Sequence, residues 1–419
     1  MISNELVKNH RIREIINTDF KDKIFIEHLR KVIEDSAEKN EIYRRLIENS
    51  DFSIDDLEKI DDLMMLPYLN ASDFKESNQM YKRFLKIPFN SPEFDCWNVS
   101  SCTSGNPSLV SRSKDDNELL ASMTIKCIYD FIPIPQDEWF NTLSFNFAPS
   151  IKFLNRIALR YTEERPVKLY SSNLHKISTR MSDPYFLVKF KLFKAIKEII
   201  VNRSIVGAFN IDSKFVIKKL EKNLKKPENE RKYVSFGGSL QLVNNFMNGF
   251  LEDNNLKYEL NDSVVNFGGG GWDGHKSQLK YPPIEKNKFV NDCEKYLGTP
   301  PENITDMYGF TETPIVFGSH WSEKHQDFIM HCPPQARIII RDMKTRDPLT
   351  SPGDVGFLEV ITPFGVNASL NHAILIDDVV ELVSKKNCPQ CGYEGDTFRV
   401  LGRLENSEGL GCSSVVEWI

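Results

Sequence analysis

Apolar residues recur at three- and four-residue spacing through Val32–Ile47, the period of an amphipathic helix, and the stretch to about residue 90 reads helical throughout. Ser53 followed by Asp56 has the form of an N-cap with an acid in the first turn. In Leu66–Phe74 (LPYLNASDF), Pro67 ends one helix and Ser72/Asp73 starts the next. The rhythm then changes. Ser204–Phe209 is a short apolar run before a helical stretch, Lys214–Leu224. Tyr233–Phe236 runs into Gly237-Gly238 and a helix at Leu240–Phe250, and Ser263–Phe267 runs into Gly268–Gly271. Repeated strand, glycine and helix predict an α/β sheet with ligand-binding loops at its strand ends. From about Ala336, the short runs Ile338–Ile340, Gly356–Ile361, Ile374–Ile376 and Phe398–Leu401 predict a β-rich subdomain. The predicted organisation is a helical region over 1–90, an α/β core over 91–335, and a β-rich subdomain with a short tail over 336–419. Lys189–Ile200 (KFKLFKAIKEII) is basic and amphipathic. It predicts a helix packed on the core, with a membrane or partner surface as the alternative.

Composition narrows the class. The 419 residues suffice for one large or two medium domains, and 40% hydrophobic with 27% charged residues is an ordinary globular balance. A net charge of −6 excludes general nucleic-acid binding, which needs a basic face. No apolar run approaches the roughly 20 residues of a transmembrane span. Met1–Ile16 is charged and lacks the apolar stretch of a secretory signal. The expectation is a cytoplasmic, reducing location in which the eight cysteines are thiols or metal ligands.

Four segments carry candidate chemistry. The loop Ser100-Ser101-Cys102-Thr103-Ser104-Gly105-Asn106-Pro107-Ser108 is rich in small hydroxyl residues and can wrap a polyphosphate with hydroxyls and backbone N–H groups. It is no Walker A loop, since Gly-Lys-Ser/Thr is missing. In Asp306-Met307-Tyr308-Gly309-Phe310-Thr311-Glu312, Tyr308 can stack on a base, Thr311 can hold a phosphate oxygen and Glu312 a magnesium ion. Asp377-Asp378, after a predicted strand, can accept ribose hydroxyls, and Gly402-Arg403 offers a guanidinium to ribose or phosphate.

The order of the four resembles the adenylate-forming superfamily of acyl and aryl ligases, over about residues 60–419. The resemblance implies that the loop (Ser100, Ser101, Thr103, Ser104, Gly105) grips ATP phosphates. It also implies that Tyr308, Gly309, Thr311 and Glu312 hold adenine, phosphate and Mg²⁺, that Asp378 binds ribose, and that Arg403 marks the end of the large domain. Cys102, Ser104 and Asn106 stand where that loop more often has Gly, Thr and Lys, and Ile376-Asp377-Asp378 replaces the commoner Thr-Gly-Asp. The loop thus lacks a lysine for its phosphate contact; for the separate catalytic lysine of the superfamily's C-terminal subdomain, Lys276 is a candidate substitute.

A narrower resemblance rests on Phe267–Trp272 (FGGGGW), His331-Cys332-Pro333-Pro334, Cys388-Pro389-Gln390-Cys391-Gly392, and Gly402-Arg403 with Gly411-Cys412-Ser413. These are similar to the acyl-protein synthetase (LuxE) family of bacterial luminescence, and more distantly to phenylacetate–CoA ligase. That family activates a fatty acid as acyl-adenylate, moves the acyl group to a cysteine near its C-terminus and delivers it to an acyl reductase subunit. The matching cysteine is Cys412, and Gly269 and Gly270 would line the adenine and acyl pocket. Only 16 residues follow Arg403, so the superfamily's usual C-terminal subdomain, with its catalytic lysine, is expected to be missing.

Cys388 and Cys391 form a C-x₂-C pair that can bite one tetrahedral zinc. His320, His325, His331 and Cys332 offer the remaining ligands, and comparison with phenylacetate–CoA ligase favours His325 and His331 in a structural Cys₂His₂ site. Two other readings stay open: a ligase that loads CoA or a carrier protein, and a nucleotide-binding scaffold subunit without turnover.

Overall fold

The computed structural model describes residues 1–100, 107–135, 140–145, 167–169, 181–186, 188–190, 209–211, 213–260, 262–276, 279–280, 282–404 and 415–416. The N-terminal region is helical in three short pieces, α1 (His10–Asn17), α2 (Asp22–Lys39) and α3 (Glu41–Glu48). The single periodic run Val32–Ile47 is divided at Asn40. Its side-chain carbonyl accepts the N–H groups of Ile42 and Tyr43, and its amide donates to the carbonyls of Arg83 and Leu85. An asparagine capping the next helix in this way ends the previous one. Between 50 and 90 the chain makes 3₁₀ turns rather than α-helices. Ser53 caps one of them, Ile54–Asp56, and at the turn Ala71–Phe74 the Asp73 carboxylate accepts the N–H of the cap residue Asn70, two residues before the predicted cap at Ser72.

The strands follow: β1 (Leu69–Asn70), β2 (Phe94–Val99), β3 (Leu109–Ser113), β4 (Phe140–Phe145), β5 (Val167–Leu169), β6 (Ser182–Phe186), β7 (Val188–Phe190), β8 (Phe209–Ile211), β9 (Val234–Gly238) and β10 (Val264–Gly268). A two-stranded ribbon, β11 (His275–Lys276) and β12 (Leu279–Lys280), leads to β13 (Ile304–Gly309), β14 (Val316–Ser322), β15 (Asp327–His331), β16 (Arg337–Arg341), β17 (Pro348–Leu349), β18 (Val355–Ile361), β19 (Ala373–Ser384), β20 (Thr397–Leu404) and β21 (Val415–Val416). Helices α4 (Lys114–Phe131), α5 (Ser213–Leu224), α6 (Leu240–Phe246) and α7 (Lys286–Leu297) connect them, and α6 runs on into a π turn, Met247–Leu251. The predicted helix over 189–200 does not begin at Lys189: Val188–Phe190 pairs antiparallel with Phe209–Ile211, and 191–200 lies outside the described residues.

One mixed sheet of 14 strands dominates, in the path β17-β16-β18-β19-β20-β15-β14-β13-β10-β9-β4-β6 with β1 and β21 added at β19 and β20. From β6 to β13 the pairings are parallel; from β13 to β17 they are antiparallel. The parallel strands β9 and β10 are nearly continuous apolar runs ending in glycine, as strands covered on both faces should be. The β-rich residues after 336 extend this same sheet. No described helix is long and apolar enough to cross a membrane.

The loop between β18 and β19 is bound to α4 through one buried carboxylate. Asp116 accepts from the backbone of Ser113, Asn367 and Ala368 and from the Asn367 amide. The N-terminal helices reach the same loop through a contact between Tyr43 and His372, both buried, with the phenol 2.7 Å from Nε2. Burial pulls the His372 imidazole down to about 3. An unfolded histidine titrates near about 6.5, so below that pH the unfolded chain binds a proton that the folded chain refuses. His372 therefore makes stability fall as the pH drops from about 6.5 toward 3. Urea denaturation between pH 6 and pH 4 should show a slope shallower by up to ~1.4 kcal/mol per pH unit in His372→Phe than in wild type. Equal slopes would mean that the folded protein protonates this ring.

Candidate functional site

The two halves of the sheet meet at β13, and a cleft opens beside that seam at the carboxyl ends of β10 and β13. Crevices at such switch points of strand direction are where α/β sheets take ligands. The cleft holds about 150 Å³ of space for a water-sized sphere and opens to solvent at its mouth. Its lining joins segments far apart in the chain: Ser100 and Ser108; Gly269 and Gly270; Tyr308, Gly309, Thr311 and Glu312; and Asp377 and Asp378 with Gly402.

Each segment is held by a definable constraint. The stem of the hydroxyl-rich loop is clamped by two contacts, Ser100 N–H to the Ser108 carbonyl at 3.1 Å and Ser108 N–H to the Ser100 hydroxyl at 2.9 Å. Ser101, Thr103, Ser104 and Gly105 lie outside the described residues. At the end of β10, a Cβ on Gly268 would stand 2.6 Å from the Met307 carbonyl oxygen, so glycine permits β10 and β13 to approach. The Tyr308 hydroxyl donates to Asp378 at 2.6 Å, joining the seam to β19. Asp378 is paired in register with Arg403, and the strand bulges beside it where Gly402 takes a φ of 139°. The Arg403 side chain, Cys412 and the Lys276 side chain lie outside the described residues.

Thr311 and Glu312 are buried and gripped by their backbone carbonyls. The Arg112 guanidinium, itself fully buried, donates to the carbonyls of Thr311 (2.9 Å) and Gly365 (3.0 Å). The Asn371 amide donates to the Glu312 carbonyl at 2.9 Å. With its backbone fixed, the Glu312 carboxylate makes no hydrogen bond or ion pair with a described residue. Sequence reasoning missed Arg112 and Asn371 because they act on carbonyls some 200 and 59 positions away, with no local motif. It also missed Lys75, Lys286 and Asp306 in the lining. The Lys286 ammonium pairs with Asp327 and lies 5.8 Å from the Trp272 ring centroid, and the Trp272 indole N–H donates to Asp306 at 3.0 Å.

A second cluster lies on the antiparallel side. The ligand-capable atoms of His320, His331, Cys388 and Cys391 all fall within 4.8 Å of one another. The cluster contains His320 and not the expected His325. In the hairpin β14–β15 Gly318 pairs with His331 and His320 with Ile329, so the period of two puts His320 and His331 side by side on one face. His325 sits beyond them in the turn at 323–326. The His331 Nε2 is 3.2 Å from the Cys391 sulfur, its Nδ1 faces the Gly318 carbonyl, and burial holds its ring down at about 3, so it is neutral with a lone pair to give. Neither ring nitrogen of His320 completes a hydrogen bond, although Gln390 lies beside it; that amide donates to the Trp321 carbonyl.

A family model described as acyl-protein synthetase, LuxE, matches residues 171–418. Among solved structures, 2-hydroxyisobutyryl-CoA ligase in an open conformation with 2-HIB-AMP and CoA superposes with a TM-score of 0.61 at 14% identity, over 92% of this chain and 75% of that one. The same enzyme in its thioesterification state gives 0.60 at 13% identity, over 96% and 70%. At such identity the likeness is one of fold, and it meets the expectation of the mixed α/β fold of adenylate-forming ligases. Among curated proteins none matches the sequence.

The buried guanidinium generates a test. Arg112→Met strands two buried carbonyls, at about 1–3 kcal/mol each, and Arg112→Lys cannot reach both. Both variants should lose about 2–4 kcal/mol of unfolding free energy, and amide exchange should accelerate selectively at 309–313 and 363–367. Protection at 309–313 equal to wild type would remove Arg112 from the support of Thr311.

Proposed function

The chain belongs to the acyl-protein synthetase (LuxE) family, and on that premise we propose that it activates a carboxylic acid with ATP and passes the acyl group to a thiol. The observation that carries this reading is the convergence, in one cleft, of four motif segments that the sequence separates by up to 300 residues. In the proposed reaction a carboxylate oxygen of the acid attacks the α-phosphorus. The α–β P–O bond breaks, its electron pair leaves with pyrophosphate, and an acyl-adenylate remains. Ser100 and the loop it opens take the phosphates, Tyr308 packs on adenine, and Gly269 and Gly270 leave room for it. Asp378, already oriented by the Tyr308 hydroxyl, takes ribose with Arg403. Mg²⁺ would neutralise phosphate charge, and Glu312, a buried carboxylate without a partner among the described residues, fits such a hard cation with Thr311 beside it. The apolar lining of Met307, Phe310, Phe328 and Met330 favours an acid with a hydrocarbon tail, a fatty acid.

The acceptor in this reading is Cys412. Its thiolate attacks the acyl carbon, a C–S bond forms and AMP leaves, and no strong base is needed because AMP is a good leaving group. The support is positional. Val415 pairs with Arg403, next to Gly402 in the cleft lining, and Cys412 is three residues from Val415. An extended chain spans at most about 3.6 Å per residue, so the thiol stays within reach of the cleft. An acyl-cysteine at that position would then suit delivery to an acyl reductase. With ATP, Mg²⁺ and labelled fatty acid, wild type should carry hydroxylamine-labile label. Cys412→Ser should keep pyrophosphate exchange but carry none, and Glu312→Gln should lose about 10²–10³ in exchange. Equal labelling of the serine variant would make CoA or a carrier protein the acceptor, and absent exchange in wild type would leave a scaffold subunit.

The second cluster is read as a structural zinc site of His320, His331, Cys388 and Cys391. The ring nitrogens of half-buried His320, which complete no hydrogen bond among the described residues, fit this, as do four donors within 4.8 Å, since a tetrahedral zinc needs edges of about 3.4–3.8 Å. Zinc held there would crosslink the β14–β15 hairpin to the turn between β19 and β20. Metal analysis should find one zinc per chain, lost in His320→Ala and Cys388→Ser with a lowered Tm and retained in His325→Ala. Zinc lost with His325 instead would restore the ligand set expected from sequence.

A further inference from the structure

Lys75 is 94% buried, yet its ammonium makes no hydrogen bond or ion pair with any described residue, and it lines the cleft. The side chain is enclosed along its length and reaches the cleft, and a cation held there with no counter-charge among the described residues attracts an anion that arrives from outside. Its place in the backbone says which anion. Lys75 forms an antiparallel bridge with Ser108, and the Glu76 N–H donates to the Pro107 carbonyl at 2.8 Å, so this segment is fastened to the closing strand of the hydroxyl-rich loop. Ser108 is the residue whose N–H is clamped to the Ser100 hydroxyl at the loop's other end. The lysine is thus held at the stem of the loop to which the proposed reaction gives the phosphates. That loop has no lysine of its own, and the other described lysine of the lining, Lys286, is committed to Asp327.

We propose that Lys75 is the phosphate-binding cation of this site, supplied by a 3₁₀ turn of the N-terminal region in place of a loop lysine. The inference rests on the ATP-dependent reading. Lys75 transfers no proton: as the α–β P–O bond breaks and the electron pair passes to pyrophosphate, its fixed charge meets the charge that develops on the leaving group. A preorganised cation in such a place typically contributes on the order of 10²–10³ in rate. It would act on β- and γ-phosphate oxygens and be indifferent to adenosine or AMP.

The experiment compares wild type, Lys75→Met and Lys75→Arg. In thermal melts without ligand, Lys75→Met should be as stable as wild type, because an ammonium with no partner among the described residues is exchanged for an apolar chain of similar length. Mg·ATP should raise the Tm of wild type and much less that of Lys75→Met, while AMP should raise both equally. In acid-dependent pyrophosphate exchange, Lys75→Met should lose about 10²-fold in kcat/KM for ATP, with Lys75→Arg recovering most of it. Equal ATP shifts in wild type and Lys75→Met, or an AMP shift lost together with the ATP shift, would overturn the assignment. The melts decide this even if wild type exchanges no pyrophosphate, so failure of the catalytic reading and failure of Lys75 are separately visible.

Discussion

Strand β13 has to satisfy neighbours of opposite direction. On one side it pairs in parallel with β10, on the other antiparallel with β14, and the two hydrogen-bond patterns differ in slant and spacing. At the carboxyl end of β13 the strands diverge: β10 departs through Gly268–Gly271, while the chain after Gly309 must turn back into β14. That divergence leaves one flank of the end of β13 open: Tyr308 and Gly309 still pair with β14, and the cleft lies on the side that β10 has left. Phe310, Thr311 and Glu312 follow in the turn toward β14 and line the same cleft.

A turn at such a place needs supports that a ladder would otherwise give. They come from buried polar side chains on distant elements. Arg112 and Asn371 take the carbonyls of Thr311 and Glu312, and Asp116 gathers the N–H groups of the loop that presents Asn371. Tyr43 and His372 tie the N-terminal helices to the next residue of that loop. Buried donors and acceptors of this kind cost more when unmatched than they return when matched, so the network is a device for position more than for stability. The N-terminal region is accordingly part of the site's frame, and through Lys75 part of its lining.

The elements legible from sequence were those whose cause is local. Tyr233–Phe236 and Ser263–Phe267 were readable because a strand covered on both faces must be apolar and must end where a glycine lets the chain turn. The division of Val32–Ile47 at Asn40 was not, because periodicity is blind to a polar residue whose amide is wanted by Arg83 and Leu85. For the site, the order of motifs located the cleft residues, while Arg112, Asn371 and Lys75 carry no local signature, since each acts on a partner brought near by the sheet. His320 was a near miss of a different kind: the candidates were all visible, and the choice among them turned on strand register, where a shift along the hairpin decides which rings share a face.

The charge of the cleft sets the terms for any anionic ligand. Its described lining carries Asp273, Asp306, Glu312, Asp327, Asp377 and Asp378 against Lys75 and Lys286. Several of the carboxylates are already engaged: Asp327 by Lys286, Asp306 by the Trp272 indole, Asp378 by the Tyr308 hydroxyl. Even so, the wall as a whole repels a bare triphosphate. Under the proposed reading, the nucleotide can enter as a magnesium complex, because a divalent ion turns Glu312 from a source of repulsion into a ligand, while Lys75 offers the cation on the loop side. The two charges then lie on opposite sides of the phosphate chain, one brought by the ligand and one built into the fold. A site of this kind stays unfavourable to free phosphates and to metal-free nucleotide, and it gains its full attraction only when both counter-charges face the same polyphosphate.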